Sequence, residues 1–159
     1  MIGFWKVQQP YGQFSNWWLC KIIYDNKTFC SSEQVFMYMK AKLFKDDEVA
    51  EKILQTTNQK TIKALGREVK NFDQLVWDNF KYSLMYNANE LKFSQNPDLK
   101  MLLLSTGNEQ ICEASPLDRI WGIGLSTATL DYRDPTKWRG QNLLGQVLIN
   151  LREAYKERV

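Results

Sequence analysis

Between Ser31 and Phe44 the chain carries a stretch that leaves few options for its fold. Ser31 followed three residues later by Gln34 makes a capping box, which predicts a helix from there to about Phe44. Its sides are nearly all apolar, with Val35, Phe36, Met37, Met39, Ala41 and Leu43. A helix apolar on so many sides must be buried on several faces, so the rest of the chain has to supply its cover. The length of 159 residues suits one domain that buries a core without disulfides or metal, and we expect a single domain over 1–159. On the same helix Glu33 and Lys40 stand two turns apart on one face, about 10 Å along the axis, with Phe36 and Met37 between them. Position alone makes Glu33 a first-turn acid complementing the helix dipole and Lys40 a snorkelling lysine; together they can also line one wall of a site.

The remaining elements are read from periodicity and punctuation. Residues 1–30 read as short strands and turns, with a strand over Leu19 to Tyr24, turn chemistry at Asp25-Asn26 and a return through Thr28-Phe29-Cys30. Asn16, between Phe14 and Trp17, either fixes a turn or offers its amide to a ligand. Asp46 or Asp47 caps a short helix to about Gln55, and Asn58 begins another that ends near Gly66-Arg67. The longest helix is expected from about Asp73 to Phe93, with Val76, Phe80, Leu84, Ala88 and Leu91 on one stripe and Trp77 beside it. Asn96-Pro97 starts a helix that stops at Thr106-Gly107, and Ile111-Cys112 reads as a short strand. Residues 126–139 form a long surface loop, of a kind that can serve as a lid. Gly140-Gln141-Asn142 leads into a final amphipathic helix, with Arg152, Lys156 and Arg158 towards its end. The expected fold is α+β, predominantly α-helical, with a small N-terminal β component.

Composition removes several chemistries. There is no His, which excludes Ser-His and Cys-His catalysis and a His general base, so in an enzyme the carboxylates must move the protons. Cys20, Cys30 and Cys112 are scattered and odd in number, which argues against a disulfide framework or a zinc site and fits a reducing cytoplasm. No metal or cofactor is expected. The net charge of +3 is too small to announce a nucleic-acid protein but leaves phosphorylated small molecules open. No apolar run is long enough to span a bilayer and no targeting segment is evident, so no membrane partner is expected.

One stretch looks built for something other than packing. From Glu113 a short apolar run gives way to Pro116, and Asp118 stands three residues before Trp121-Gly122-Ile123-Gly124. Glycines allow close backbone approach, and Trp121 offers a flat stacking surface near a carboxylate able to act as base or nucleophile. Read by itself, the stretch is more readily an ordinary turn with a buried Trp.

The ordered set changes that weighting. Phe14-Ser15-Asn16, Ser32-Glu33-Gln34-Val35-Phe36 with Lys40, Gly66-Arg67, Trp77, Lys92-Phe93, Thr106, Glu113, Asp118-x-x-Trp121-Gly122-x-Gly124 and Gly140-Gln141-Asn142-Leu143-Leu144-Gly145 resemble, in order and spacing, the YbiA-like or NADAR family of N-glycosidases. The resemblance extends across almost the whole chain. It implies a compact, mostly helical domain and hydrolysis of the bond between ribose C1 and a base nitrogen. The substrate would be a phosphoribosylaminopyrimidine of riboflavin synthesis or ADP-ribosylated guanine, free or in nucleic acid. It also implies catalytic roles for Glu33 and Asp118 and substrate-binding roles for Asn16, Lys40, Arg67, Trp77, Trp121, Gly122 and Asn142. Two positions depart from the family pattern: Gln34, where many relatives carry His, and Ile123, where some carry Asp.

The chemistry asks for such residues. Cleaving a ribosyl C–N bond passes through an oxocarbenium-like transition state, so cation stabilisation, water activation and leaving-group assistance must be divided between Glu33 and Asp118, in an order the sequence leaves open. Trp77 and Trp121 would stack on the base or close the pocket, and Lys40 and Arg67 would hold phosphate. Gly122 and Gly124 would let the backbone approach the ligand. Asn142 would bond the sugar or phosphate at a helix start that favours an anion, or serve as a plain N-cap. The alternative of another class is a non-catalytic ADP-ribose or nucleotide-binding sensor module.

Overall fold

A computed structural model describes residues 1–158. Six helices and four three-residue strands lie among them, which makes the fold α+β and predominantly helical. The backbone groups into two compact units: 19–96, and 1–18 together with the segment from Pro97 onward.

The first of these units, 19–96, is organised around α1 (Ser32–Leu43), where every residue from Ser32 to Met39 is buried. It is covered by α2 (Asp47–Leu54), α3 (Gln59–Arg67) and α4 (Gln74–Gln95), as its apolar sides require. The caps follow the sequence. Ser31 Oγ accepts from Gln34 N at 3.1 Å, Asp46 Oδ1 from Val49 N, Asn58 Oδ1 from Thr61 N and Asp73 Oδ1 from Leu75 N and Val76 N. The box at Ser31 closes differently from the usual one. Gln34 Oε1 accepts from Cys30 N at 2.7 Å, one residue before the cap, and its Nε2 donates to the carbonyls of Ile53 and Thr56. The buried amide thereby ties α1 to the end of α2, each bond contributing about 1 kcal/mol.

The hairpin is shorter than the sequence suggested. β2 (Ile22–Tyr24) and β3 (Lys27–Phe29) pair antiparallel, Ile22 opposite Phe29, across Asp25 and Asn26, both at left-handed φ (54° and 57°) as a tight hairpin turn demands. The stripe expected on α4 is covered only in its second half. Met85, Ala88, Asn89, Lys92 and Phe93 are buried, whereas Phe80 is 46% exposed. Periodicity identified an apolar face without saying whether anything covers it. Asn96, expected as an N-cap, has its Nδ2 donating to the carbonyls of Lys92 and Lys21, which closes the end of α4.

The other unit contains β1 (Ile2–Phe4) and β4 (Ile111–Glu113), paired in parallel with Gly3 opposite Cys112, and α5 (Pro97–Ser105) and α6 (Leu143–Glu157). Cys112, Ala114, Ile123 and Leu125 form a buried cluster against which Tyr132 and Trp138 pack; burial pushes the Cys112 thiol up to about 12. Arg152, towards the end of α6, is 2% exposed. Its guanidinium donates to Thr106 Oγ1 and the Glu109 carbonyl, fastening α6 to the connection between α5 and β4. The loop over 126–139 contains two 3₁₀ turns, Leu130–Arg133 and Pro135–Lys137, and is stitched together where Trp138 Nε1 donates to the Tyr132 carbonyl at 2.8 Å.

Candidate functional site

Four of the residues singled out in the sequence gather within the 19–96 unit. Glu33 lies in the first turn of α1, 8% exposed, and Lys40 follows two turns later, half-buried. The Lys40 ammonium sits 5.2 Å from the Trp77 ring centroid and 5.0 Å from that of Phe72. Trp77 itself is held by Phe36, with ring centroids 5.4 Å apart, and by Phe44 and Phe72. An aromatic wall with an ammonium over it is a cation–π arrangement. Burial lowers the Lys40 pKa, and Arg67 acts in the same direction while Glu33 opposes both. Lys40 therefore feels a carboxylate and a guanidinium together. Arg67 follows Gly66, where a Cβ would fall 2.0 Å from Met37 Sδ, so α3 lies close against α1 at this point.

In the other unit, Asp118, Trp121, Gly122 and Asn142 belong to one turn, and their polar groups serve that turn. Asp118 Oδ1 accepts from the backbone amides of Ile120 and Trp121 at 2.9 and 2.8 Å, an Asx-turn arrangement. The carbonyls of Ile120, Trp121 and Gly122 accept from the amides of Leu143, Leu144 and Asn142, so the entry to α6 is docked onto the turn. These amides are consequently engaged, which corrects the expectation of a helix start open to an anion.

Asn142 is not the plain N-cap either. It is buried at left-handed φ (55°) and makes no side-chain cap bond. Its Oδ1 accepts from Glu113 N and its Nδ2 donates to the Ile111 carbonyl, so the amide grips both ends of β4. Asn16 is buried, and the adjacent turn is fixed by its neighbour: Ser15 Oγ accepts from Trp17 N.

Glu113 is the residue to which sequence reasoning assigned no role. Its carbonyl accepts from Ile123 N, and a Cβ on Gly122 would lie 2.9 Å from that oxygen and 3.3 Å from the Glu113 carboxylate. Gly122 thus makes room for a carboxylate against the turn. The signal available was an acid ending a short apolar run nine residues ahead of a glycine. Among the described residues no group of three or more Cys, Asp and Glu could hold a metal ion, and no helix is long and apolar enough to cross a membrane.

A helical α+β fold, with a carboxylate, two cations and an indole brought together by α1, α3 and α4 and a Trp-Gly turn braced by asparagine, defines a class that comparison makes specific. The family model of the NADAR domain matches residues 3–156, and the chain belongs to that family. It is 49% identical over 129 residues to N-glycosidase R617 of Acanthamoeba polyphaga mimivirus, covering 81% of this chain and 76% of that protein. It is 30% identical over 153 residues to N-glycosidase YbiA of Escherichia coli K12, covering 96% and 87%. The NMR structure of E. coli YbiA superimposes with a TM-score of 0.80 at 29% identity, over 99% of this chain and 85% of that one.

Proposed function

We propose that the bond cut by this N-glycosidase joins ribose C1 to a base nitrogen, in a phosphoribosylaminopyrimidine or in ADP-ribosylated guanine. The observation that carries the reading is the grouping of Glu33, Lys40, Arg67 and Trp77. A phosphorylated riboside brings an anion, a flat base and a C1 that turns cationic in the transition state, and these side chains complement all three.

In this reading water adds to C1 as the C–N bond breaks. The departing nitrogen keeps the bonding pair and gains a proton, and the water loses one. Glu33 and Asp118 divide water activation and cation stabilisation from ribose orientation and leaving-group assistance. Lys40 and Arg67 hold phosphate, Trp77 and Trp121 face the base, Gly122 admits the ligand to the turn, and Asn16 and Asn142 position the groups around it. Cys20, Cys30 and Cys112 are not joined in a disulfide, which suits a reducing cytoplasm.

The test is to incubate the protein with a phosphoribosylaminopyrimidine and with ADP-ribosylated guanosine and to follow free base by chromatography. Base release from either, abolished in Glu33→Gln and Asp118→Asn variants, supports the assignment. Full activity in both variants removes the two carboxylates from the mechanism. Tight ADP-ribose binding with no turnover of any N-riboside would turn the reading to a sensor module.

A further inference from the structure

Beside the parallel pair β1 and β4 lies a cleft of about 520 Å³ that none of the proposed site residues lines. Its walls include Trp5, Tyr11 and Tyr132, with Gln9 and Thr127 adding polar groups. The volume lies within the range of small-ligand sites, and three aromatic rings around one opening are far more stacking surface than a solvent cleft needs.

Two features show that these rings are held ready. A Cβ on Gly3 would lie 3.0 Å from both Thr127 Cγ2 and the Tyr132 ring, so the Tyr132 ring lies directly on the bare β1 backbone. The same residue packs on the buried cluster around Cys112, and its carbonyl is fixed by Trp138 Nε1. Both rim aromatics also carry a cation: Lys6 Nζ stands 4.7 Å from the Trp5 ring centroid, and Arg133 Cζ 5.5 Å from that of Tyr132. Arg133 Nε further donates to the Tyr132 hydroxyl at 3.1 Å. Neither cation lines the cleft; both stand on exposed chain beside rings that do.

We propose that this cleft is a nucleotide-binding site separate from the proposed catalytic residues, with the base stacked on Trp5 and the phosphate met at the rim by Lys6 and Arg133. Base–aromatic stacking is sequence-tolerant and contributes enough per base for truncation of one ring to be measurable. Flanking cations supply the charge that a planar neutral ligand would not require.

Isothermal titration of the full chain with AMP and with ribose 5-phosphate tests this. The expected result is AMP binding about tenfold or more tighter than ribose 5-phosphate. Trp5→Ala should weaken AMP about tenfold, the scale of one lost stacking contact, and Trp5→Phe should stay within about threefold of the parent. Because Trp5→Ala could disturb the fold, a second variant fills the cleft instead. Ala128 lines it on an exposed loop, so Ala128→Trp should keep the parent's circular dichroism and weaken AMP by about tenfold or more. The proposal is overturned if AMP does not bind, if ribose 5-phosphate binds as tightly, or if AMP affinity is unchanged in Ala128→Trp.

Discussion

The Glu33 face of α1 and the Trp121 turn both carry acids, an indole and an amide or amine, yet they use them in opposite ways. On α1 Glu33 and Lys40 stand two turns apart, and the rings of Phe72 and Trp77 pack against the Lys40 ammonium. In the turn the polar groups are spent on the backbone: Asp118 on two amides, Asn142 on β4, and three carbonyls on the start of α6. The helix face groups charge with aromatic surface, and the turn keeps shape. Substitutions on the first should therefore move activity more than stability, and in the second a substitution of the buried Asn142 should do the reverse.

The largest effect is expected at Glu33. Replacing it by Gln keeps size and shape and removes the charge, so the rate of base release should fall by about 10²–10⁴, the range for loss of a catalytic acid or base, while the urea midpoint stays close to the parent's. A Glu33→Gln protein that unfolds early with its specific activity intact would collapse the contrast between face and turn.

Next is Asn142→Ala. It leaves Glu113 N and the Ile111 carbonyl without their partner in a buried place, at a cost of about 2–4 kcal/mol in unfolding free energy. Asp118→Asn is the useful companion, because an Asn oxygen still accepts from the amides of Ile120 and Trp121 and stability should change by less than about 1 kcal/mol. A stable and inactive Asp118→Asn is the result expected of its proposed catalytic role, whereas full activity in that variant would leave the turn as shape alone.

How far these roles were legible depends on whether a role is local. The caps of Ser31, Asp46, Asn58 and Asp73 were readable because a side chain and its target lie two or three residues apart. The burial of α1 was readable because no surface helix is apolar on all sides. Gly66 beside Arg67 was visible as a motif, but its reason, the approach of Met37 Sδ, belongs to packing between helices. The grip of Asn142 on β4 spans about thirty residues and a left-handed backbone, and nothing local distinguishes it from an N-cap. The half-exposed stripe on α4 went unforeseen for a similar cause: spacing reports amphipathicity, whereas cover is a property of what packs against it.

A third effect concerns pH. Lys92 is fully buried, and burial lowers its pKa from 10.5 to about 7, with Cys20 acting in the opposite direction. Its folded pKa is below its unfolded one, so between about pH 7 and 10.5 the unfolded chain binds more protons and stability rises with pH through that window. Below pH 7 both states hold the proton and the cost of burying the charge is constant. Urea unfolding at pH 7 and 9 should show the rise, and Lys92→Met should flatten it; an unchanged slope in that variant would assign the pH dependence elsewhere.

The smallest effect separates the two cations of the helix face. Arg67 is exposed at the end of α3, while Lys40 is half-buried over Trp77 and Phe72. Removing Arg67 takes away an exposed charge in high dielectric, where single interactions contribute at most about 1 kcal/mol. Arg67→Ala should therefore raise KM for a phosphorylated substrate a few-fold and leave kcat near the parent value. It should also let the Lys40 pKa drift upward, since the guanidinium is one of the two influences lowering it. A fall in kcat with KM unchanged would instead put Arg67 in contact with charge that develops only in the transition state.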